Sequence, residues 1–314
     1  MLPFRGVRRE DELERAHLER RHALDEAHRR RGFRRAWFLG MWARQMVRPP
    51  RPAVRAPLPP VARGQLGVTF VGHSTVLLRY HDARILTDPN LGRWLLGLRR
   101  AWEPGLEPAQ LTSLDLVLVS HAHHDHLVRP SLRKIASGAT CVVPPRCADL
   151  VDDLGFARVV ELPLGESFRL GTVEVTAVPA RHWGLRLLGD YKRRGYGGYV
   201  VCGDGPSAYF AGDTAYFSGF AEIGRRFRPH VALLPIGAYQ PPSFRRSHMS
   251  PLDAIYAFED LGARLLIPIH FGSYPLSYEP LDDPPAWLRE LARTRRLEQE
   301  VRILGNGESQ LLEL

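Results

Sequence analysis

His121, His123, Asp125 and His126 stand at i, i+2, i+4 and i+5 in the stretch HAHHDH, immediately after the apolar run LDLVLVS at 114–120. Imidazole nitrogen and carboxylate oxygen are suitable ligands for zinc, iron or manganese. Alternate residues of an extended chain share a face, so His121 and His123 can converge on one ion. Where the chain then turns into RPSLRKIA at 129–136, Asp125 and His126 can swing toward a second ion. The plainer readings are a polar surface loop or a structural site for a single metal.

Three further candidates sit where apolar runs end, which is where an α/β body places its site. His182 follows TVEVTAVPAR, Asp213 follows SAYFAG, and His270 follows RLLIPI. Alone, a strand-end aspartate is ordinarily a cap or turn residue. With the first loop the set reaches seven ligands, enough for two ions. The natural division gives His121, His123 and His182 to one ion and Asp125, His126 and His270 to the other, with Asp213 bridging.

The elements that must carry these residues are short strands and turns from residue 67 onward. GVTFVGHSTVLLRY (67–80) and ARILTDP (83–89) read as two strands joined at His81-Asp82. LDLVLVS reads as a fully buried strand, 129–136 as a helix, and 140–145, 157–162, 172–180, 199–203 and 207–213 as further strands. The last third alternates, with helices at FAEIGRRF and PLDAIYAFEDLG and strands at HVALLPIG and RLLIPIH. Two sheets with helices outside accommodate this order. Residues 61–314 are expected to form the catalytic body.

HxHxDH is the hallmark of the metallo-β-lactamase superfamily, and this sequence resembles it at His121, His123, Asp125 and His126. The similarity narrows to the N-acyl-phosphatidylethanolamine-hydrolysing phospholipase D group. It runs through VTFVGHSTVLL (68–78), LTDP (86–89), RHW (181–183), FAGDTAY (210–216), LPIGAY (234–239), His248 in SHMSP and IPIHFGSY (267–274). The resemblance implies an α/β, four-layer αβ/βα sandwich with two divalent ions, zinc, between its sheets. It implies phosphodiester hydrolysis of a phospholipid-like substrate, with Asp125 and His248 in catalytic roles and a hydroxide bridging the ions as the nucleophile. Ser250 and Pro251 suit a helix start, which accounts for those residues and not for His248. His73 reads as a core histidine or as support for a ligand. Asp88 in LTDP reads as the carboxylate that orients a ligating histidine. Arg186 reads as facing a phosphate or as solvated. One departure is NLGRWLLGLRRAWEPGLEP (90–108), where Gly97-Leu98-Arg99-Arg100 stands in for the family's basic segment.

Net charge is +9, and residues 1–56 hold 15 arginines and 7 acidic residues, so nearly all of the excess lies there. Residues 1–60 are expected to be a basic helical extension, helical at 9–31, with 48–60 as a proline-rich tether or strap. At 32–47, arginines are interleaved with Phe33, Trp37, Phe38 and Trp42. This suits peripheral contact with a membrane or a helix packed on the body, and less well nucleic acid. No run reaches the roughly 18 apolar residues of a spanning helix. The start carries no signal-peptide pattern, and three cysteines form no CxxC pair. The expected location is cytoplasmic, with peripheral attachment at the inner face of the membrane as the extension's contribution. The sequence sets no oligomeric state. A lactonase or amide hydrolase of the same superfamily, and a nucleic-acid-processing protein, are the alternative functions.

Overall fold

The centre of LDLVLVS, Leu116 to Val119, is apolar without interruption because the strand it forms is covered on both faces. In the computed structural model, which describes residues 31–190 and 193–313, Leu116 and Leu118 point to one hydrophobic core and Val117 and Val119 to another. That alternation is the two-residue period of a strand set between two layers.

The first sheet comprises β1 (Gln65–Gly72), β2 (Thr75–Arg79), β3 (Arg84–Thr87), β6 (Leu116–Leu118), β7 (Thr140–Val143), β8 (Arg158–Glu161) and β15 (Ser309–Glu313). Its order is β15-β1-β2-β3-β6-β7-β8. The second comprises β9 (Ser167–Leu170), β10 (Val173–Val178), β11 (Gly198–Cys202), β12 (Ala208–Phe210), β13 (Val231–Pro235) and β14 (Leu265–Ile269), in the order β14-β13-β12-β11-β10-β9. A separate hairpin pairs β4 (Trp94–Leu95) with β5 (Leu98–Arg99). In both sheets the strands that lead into the site run parallel, β3-β6-β7-β8 in one and β12-β13-β14 in the other.

The helices are α1 (Arg31–Val47), α2 (Arg129–Ile135), α3 (Gly219–Phe227), α4 (Pro251–Leu261) and α5 (Asp283–Arg295). Leu66, Val68, Phe70, Ile85 and Leu118 from the first sheet meet Val175, Tyr199, Phe210, Leu233 and Ile267 from the second in one core. The other face of the first sheet packs on Leu132 and Ile135 of α2. The other face of the second sheet packs on Phe220, Ile255, Phe258 and Leu291 of α3, α4 and α5. The result is helix, sheet, sheet, helix, the four layers anticipated from the sequence.

Residues 67–80 form two strands, not one. The chain reverses at Gly72 (φ +124) and His73 (φ +62), and β1 pairs back on β2. Glycine accepts this conformation readily, while His73 carries backbone strain. Ser250 caps α4 as its position suggests, accepting from the Asp253 N–H, and Pro251 begins the helix.

One compact unit runs from Arg48 to Leu314, and the proline-rich stretch lies in it as a strap. The Arg51 N–H donates to Ala101 O at 2.8 Å, the Val54 N–H to Asn306 O at 2.8 Å, and Arg79 Nη1 to Pro59 O at 2.6 Å. The Arg51 guanidinium also pairs with Asp282 at 2.8 Å and lies over the Trp102 ring. Residues 32–47 fall within α1, whereas the helix expected at 9–31 falls, apart from its last residue, outside the described residues. No helix among the described residues is long and apolar enough to cross a membrane.

Candidate metal centre

Every ligand candidate leaves the C-terminal end of a strand. His121 to His126 follow β6, His182 follows β10, Asp213 follows β12 and His270 follows β14. Two glycines let these turns meet. A Cβ on Gly237 would stand 2.1 Å from His270 O, and one on Gly212 (φ +60) would stand 2.5 Å from Ser120 Cβ. This is a physical reason for glycine in both LPIGAY and FAGDT.

The structure brings the seven candidates into two adjoining groups. His121, His123 and His182 form one. Their facing nitrogens are close, with His123 Nδ1 2.8 Å from His121 Nε2 and 3.2 Å from His182 Nε2. Asp125, His126 and His270 form the other, joined by His73. Asp125 Oδ2 lies 3.5 Å from Nε2 of both His126 and His270. Asp213 faces both groups: its Oδ2 is 3.2 Å from His126 Nε2, 3.2 Å from His270 Nε2 and 4.0 Å from His121 Nε2.

Asp88 sets the proton positions. Its Oδ2 accepts from His126 Nδ1 at 2.6 Å and from Ser120 Oγ at 2.6 Å, and its Oδ1 accepts from the Ser120 N–H at 2.7 Å. Having donated to Asp88, Ser120 Oγ can only accept from His121 Nδ1, 2.9 Å away. His182 Nδ1 donates to Ser247 O at 2.8 Å. These bonds assign the neutral tautomers: His121, His126 and His182 then each present a bare Nε2 to the centre, and without a cation there His126 instead takes up a second proton. Bare lone pairs turned toward one another are unfavourable without a cation between them. Nε2 of His126, both ring nitrogens of His270 and Asp213 Oδ1 are also buried without a hydrogen-bond partner. The donor set therefore fits divalent metal ions of the zinc, iron or manganese type.

The electrostatics follow the same division. Burial holds His121 well below its ordinary value, and repulsion from the other imidazoles adds to this. Burial likewise lowers His123 and His182 to about 4, and lowers His73, with the help of His270, to about 3. At His126 and His270 burial also acts downward, but the carboxylates, Asp213 foremost, more than offset it. His126 ends well above its ordinary value and His270 at about 9. For Asp125 and Asp213 burial acts upward, and the neighbouring histidines hold both well below the usual carboxylate range.

A histidine lowered by folding binds fewer protons folded than unfolded, so it costs stability as pH falls below about 6.5 toward 4. A raised histidine contributes stability below about 6.5, and that contribution is lost as pH rises through about 9. The metal-free protein is therefore expected to melt highest near pH 6.5 and lower on both sides. Thermal melts between pH 4 and 9.5 after chelation check this, and a monotonic trend would contradict it.

His248, read as a catalytic candidate, places Nδ1 3.6 Å from Asp213 Oδ2, and its ring centre is 5.2 Å from that of His182. Burial lowers it to about 4. His73 is more than a core residue. Its Nε2 donates to Asp125 Oδ2 at 3.1 Å, and its carbonyl accepts from the His270 N–H at 2.8 Å. Asn90, which sequence reasoning missed, donates from Nδ2 to Asp125 O at 3.0 Å and accepts from the Tyr274 hydroxyl at 3.0 Å. The Gly97–Arg100 segment forms the β4–β5 hairpin and its exit. Arg100 there is fully buried, donating to Asn90 O at 2.8 Å. Arg186 neither faces the centre nor stands in solvent; it turns onto the backbone of the 121–127 loop.

A family model described as the Beta-lactamase superfamily domain matches residues 83–271, a span that holds all seven ligand candidates. The chain belongs to the metallo-β-lactamase superfamily. It is 32% identical to N-acyl-phosphatidylethanolamine-hydrolyzing phospholipase D 1 of Caenorhabditis elegans, over 73% of this chain and 70% of that protein. It is also 32% identical to a metal-dependent hydrolase of Methanopyrus kandleri, over 77% of this chain and 98% of that protein. The crystal structure of a possible metal-dependent hydrolase from Veillonella parvula shares the fold, with a TM-score of 0.66 and 20% identity over 80% of this chain and all of that one. This superfamily member is a metal-dependent hydrolase, and the four-layer sandwich is the superfamily's fold.

Proposed function

We propose that this hydrolase cleaves a phosphodiester bond in N-acyl-phosphatidylethanolamine or a related phospholipid, using two zinc ions. The observation that carries the reading is the position of Asp213 Oδ2, within 4.0 Å of a nitrogen of each histidine group. A carboxylate so placed is suited to two ions side by side. His121, His123 and His182 hold the first ion, Asp125, His126 and His270 the second, and Asp213 stands between. Similarity to the nematode phospholipase D favours a phosphodiester substrate.

When bound, such ions polarise phosphoryl oxygens and bring the pKa of water from about 15.7 toward about 7. The chain's own groups complete the site. Asp125, ionised at neutral pH and oriented by His73 Nε2 and the Asn90 amide, takes the proton of the attacking water. His248, beside Asp213, donates a hydrogen bond to a phosphoryl oxygen, and the departing alkoxide leaves as the alcohol with the proton that Asp125 took up. Asp88 keeps His126 and, through Ser120, His121 in the ligating tautomer. The arginine-rich helix α1 is proposed to lie at an anionic bilayer surface.

Hydrolysis of vesicle-borne N-palmitoyl-phosphatidylethanolamine, measured beside an acyl-homoserine lactone and a chromogenic cephalosporin, tests the reading. Release of N-palmitoylethanolamine and phosphatidate, with kcat/KM at least about tenfold above that for either other substrate, a difference of about 1.4 kcal/mol in barrier, is expected. Preferential opening of the lactone or lactam ring would overturn it.

A further inference from the structure

The first histidine group draws its nitrogens from two separate loops. His121 and His123 belong to the loop after β6, and His182 to the loop after β10. His121 and His123 meet within one loop at 2.8 Å, but the 3.2 Å from His123 to His182 crosses between the loops and holds only if the two keep a fixed register.

Arg186 lies four residues beyond His182. Its Nη1 donates to Leu127 O at 2.8 Å and to Ala122 O at 3.2 Å. Those carbonyls bracket residues 123–126, so one guanidinium grips the ligand loop at both ends. The contact is reciprocal, because His124 Nε2 lies 3.2 Å from Arg186 O, in position to donate to it. The backbone of Arg186 is itself anchored. Asp190 Oδ1 accepts from the N–H groups of Arg186 and Leu187 at 2.8 and 2.9 Å, and Arg194 Nε holds Asp190 Oδ2 at 2.9 Å. Trp183, between His182 and Arg186 in the chain, packs edge to face on His123 with ring centres 4.3 Å apart.

The second group is braced by different residues, namely Asp88 on His126, and His73 and Asn90 on Asp125. We propose that Arg186 is a positioning residue that sets the metal affinity of the His121–His123–His182 group selectively, by clamping the loop after β10 to the loop after β6. The proposal rests on the two-metal reading of the centre. Outer partners that orient ligands typically change metal affinity by about 10- to 100-fold when removed.

The test is zinc titration of the metal-stripped full chain against a chromogenic chelator, with melting of the metal-free protein alongside. Arg186→Met is expected to weaken one of two zinc ions by about 10- to 100-fold and the other by less than about threefold. The metal-free variant should stay cooperatively folded, melting somewhat below the wild type because two carbonyls lose their donor. Arg186→Lys should recover part of the loss, since an ammonium can donate to both carbonyls although it lacks the planar fork. His124→Phe removes only the reciprocal bond, so it probes the same clamp should Arg186→Met fail to fold; it should weaken the same ion more modestly. Equal weakening of both ions, no weakening, or Arg186→Lys no better than Arg186→Met would overturn the clamp. A wild type that binds two zinc ions with these outcomes sinks the clamp alone, whereas a wild type that takes up no zinc sinks the two-metal reading beneath it.

Discussion

Asp213→Ala is expected to lower phosphodiester hydrolysis by about 10³-fold or more and to remove at least one metal ion from the chain. Among the described residues, its Oδ2 is the one carboxylate oxygen that approaches His121, His126 and His270 together. Alanine leaves no replacement, because Asp125 reaches only the second group. The loss should not come from unfolding. The two sheets are held together by a hydrophobic core that includes Phe210 and Leu233, and alanine at 213 leaves that core intact. Elemental analysis beside steady-state kinetics on a chromogenic phosphodiester reads both effects. Retained activity with full metal content would refute the bridging role.

Asp88→Asn is expected to be nearly as damaging, because the Asp88 oxygens hold His126 and Ser120 in place behind the centre. The amide is close in shape to the carboxylate, and its oxygen can still accept from the Ser120 N–H. Its Nδ2, however, would then face His126 Nδ1 and Ser120 Oγ, where the carboxylate accepts two hydrogen bonds. A donor there forces His126 to carry its proton on Nε2, the atom turned to the centre, and breaks the relay through Ser120 to His121. Metal affinity should fall by about 10- to 100-fold, and kcat by about 10²-fold or more, with a single side-chain atom exchanged. Fitting activity against free zinc concentration separates the two effects: a variant restored fully by excess zinc lost affinity alone. Unchanged affinity and rate would show that the tautomer assignment is wrong.

The parts of this centre that lie on periodic elements were legible in the sequence. HAHHDH sits at the end of an apolar run whose strand character is plain, and the spacing alone puts His121 and His123 on one side. His182, Asp213 and His270 could be picked out because each also terminates an apolar run. His73 was read chiefly as a core residue because VTFVGHSTVLL looks like one continuous strand. Only the pairing of β1 on β2 shows that His73 and Ser74 form the turn between them, with Gly72 at its entry. Asn90 leaves no pattern, and Arg186 reads only as a phosphate contact or a solvated residue, since both bond to backbone carbonyls of a loop distant in sequence, and any residue type can supply a carbonyl. The helix α5 and the strands β9 and β15 were likewise passed over. β9 is largely exposed and β15 only half-buried along its length, and α5 carries Pro284 and Pro285 in its first turn, residues that read more readily as loop. The docking of the 51–59 strap depends on partners some 50 to 230 residues away, such as Glu103 and Asp282.

Metal content of the purified full chain, counted by elemental analysis after dialysis against zinc and removal of excess, tests the central claim most directly. The geometry of two histidine groups sharing Asp213 predicts two zinc ions per chain, falling to one or none in Asp213→Ala. A wild type that retains a single ion, with Asp213→Ala retaining the same, would contradict it.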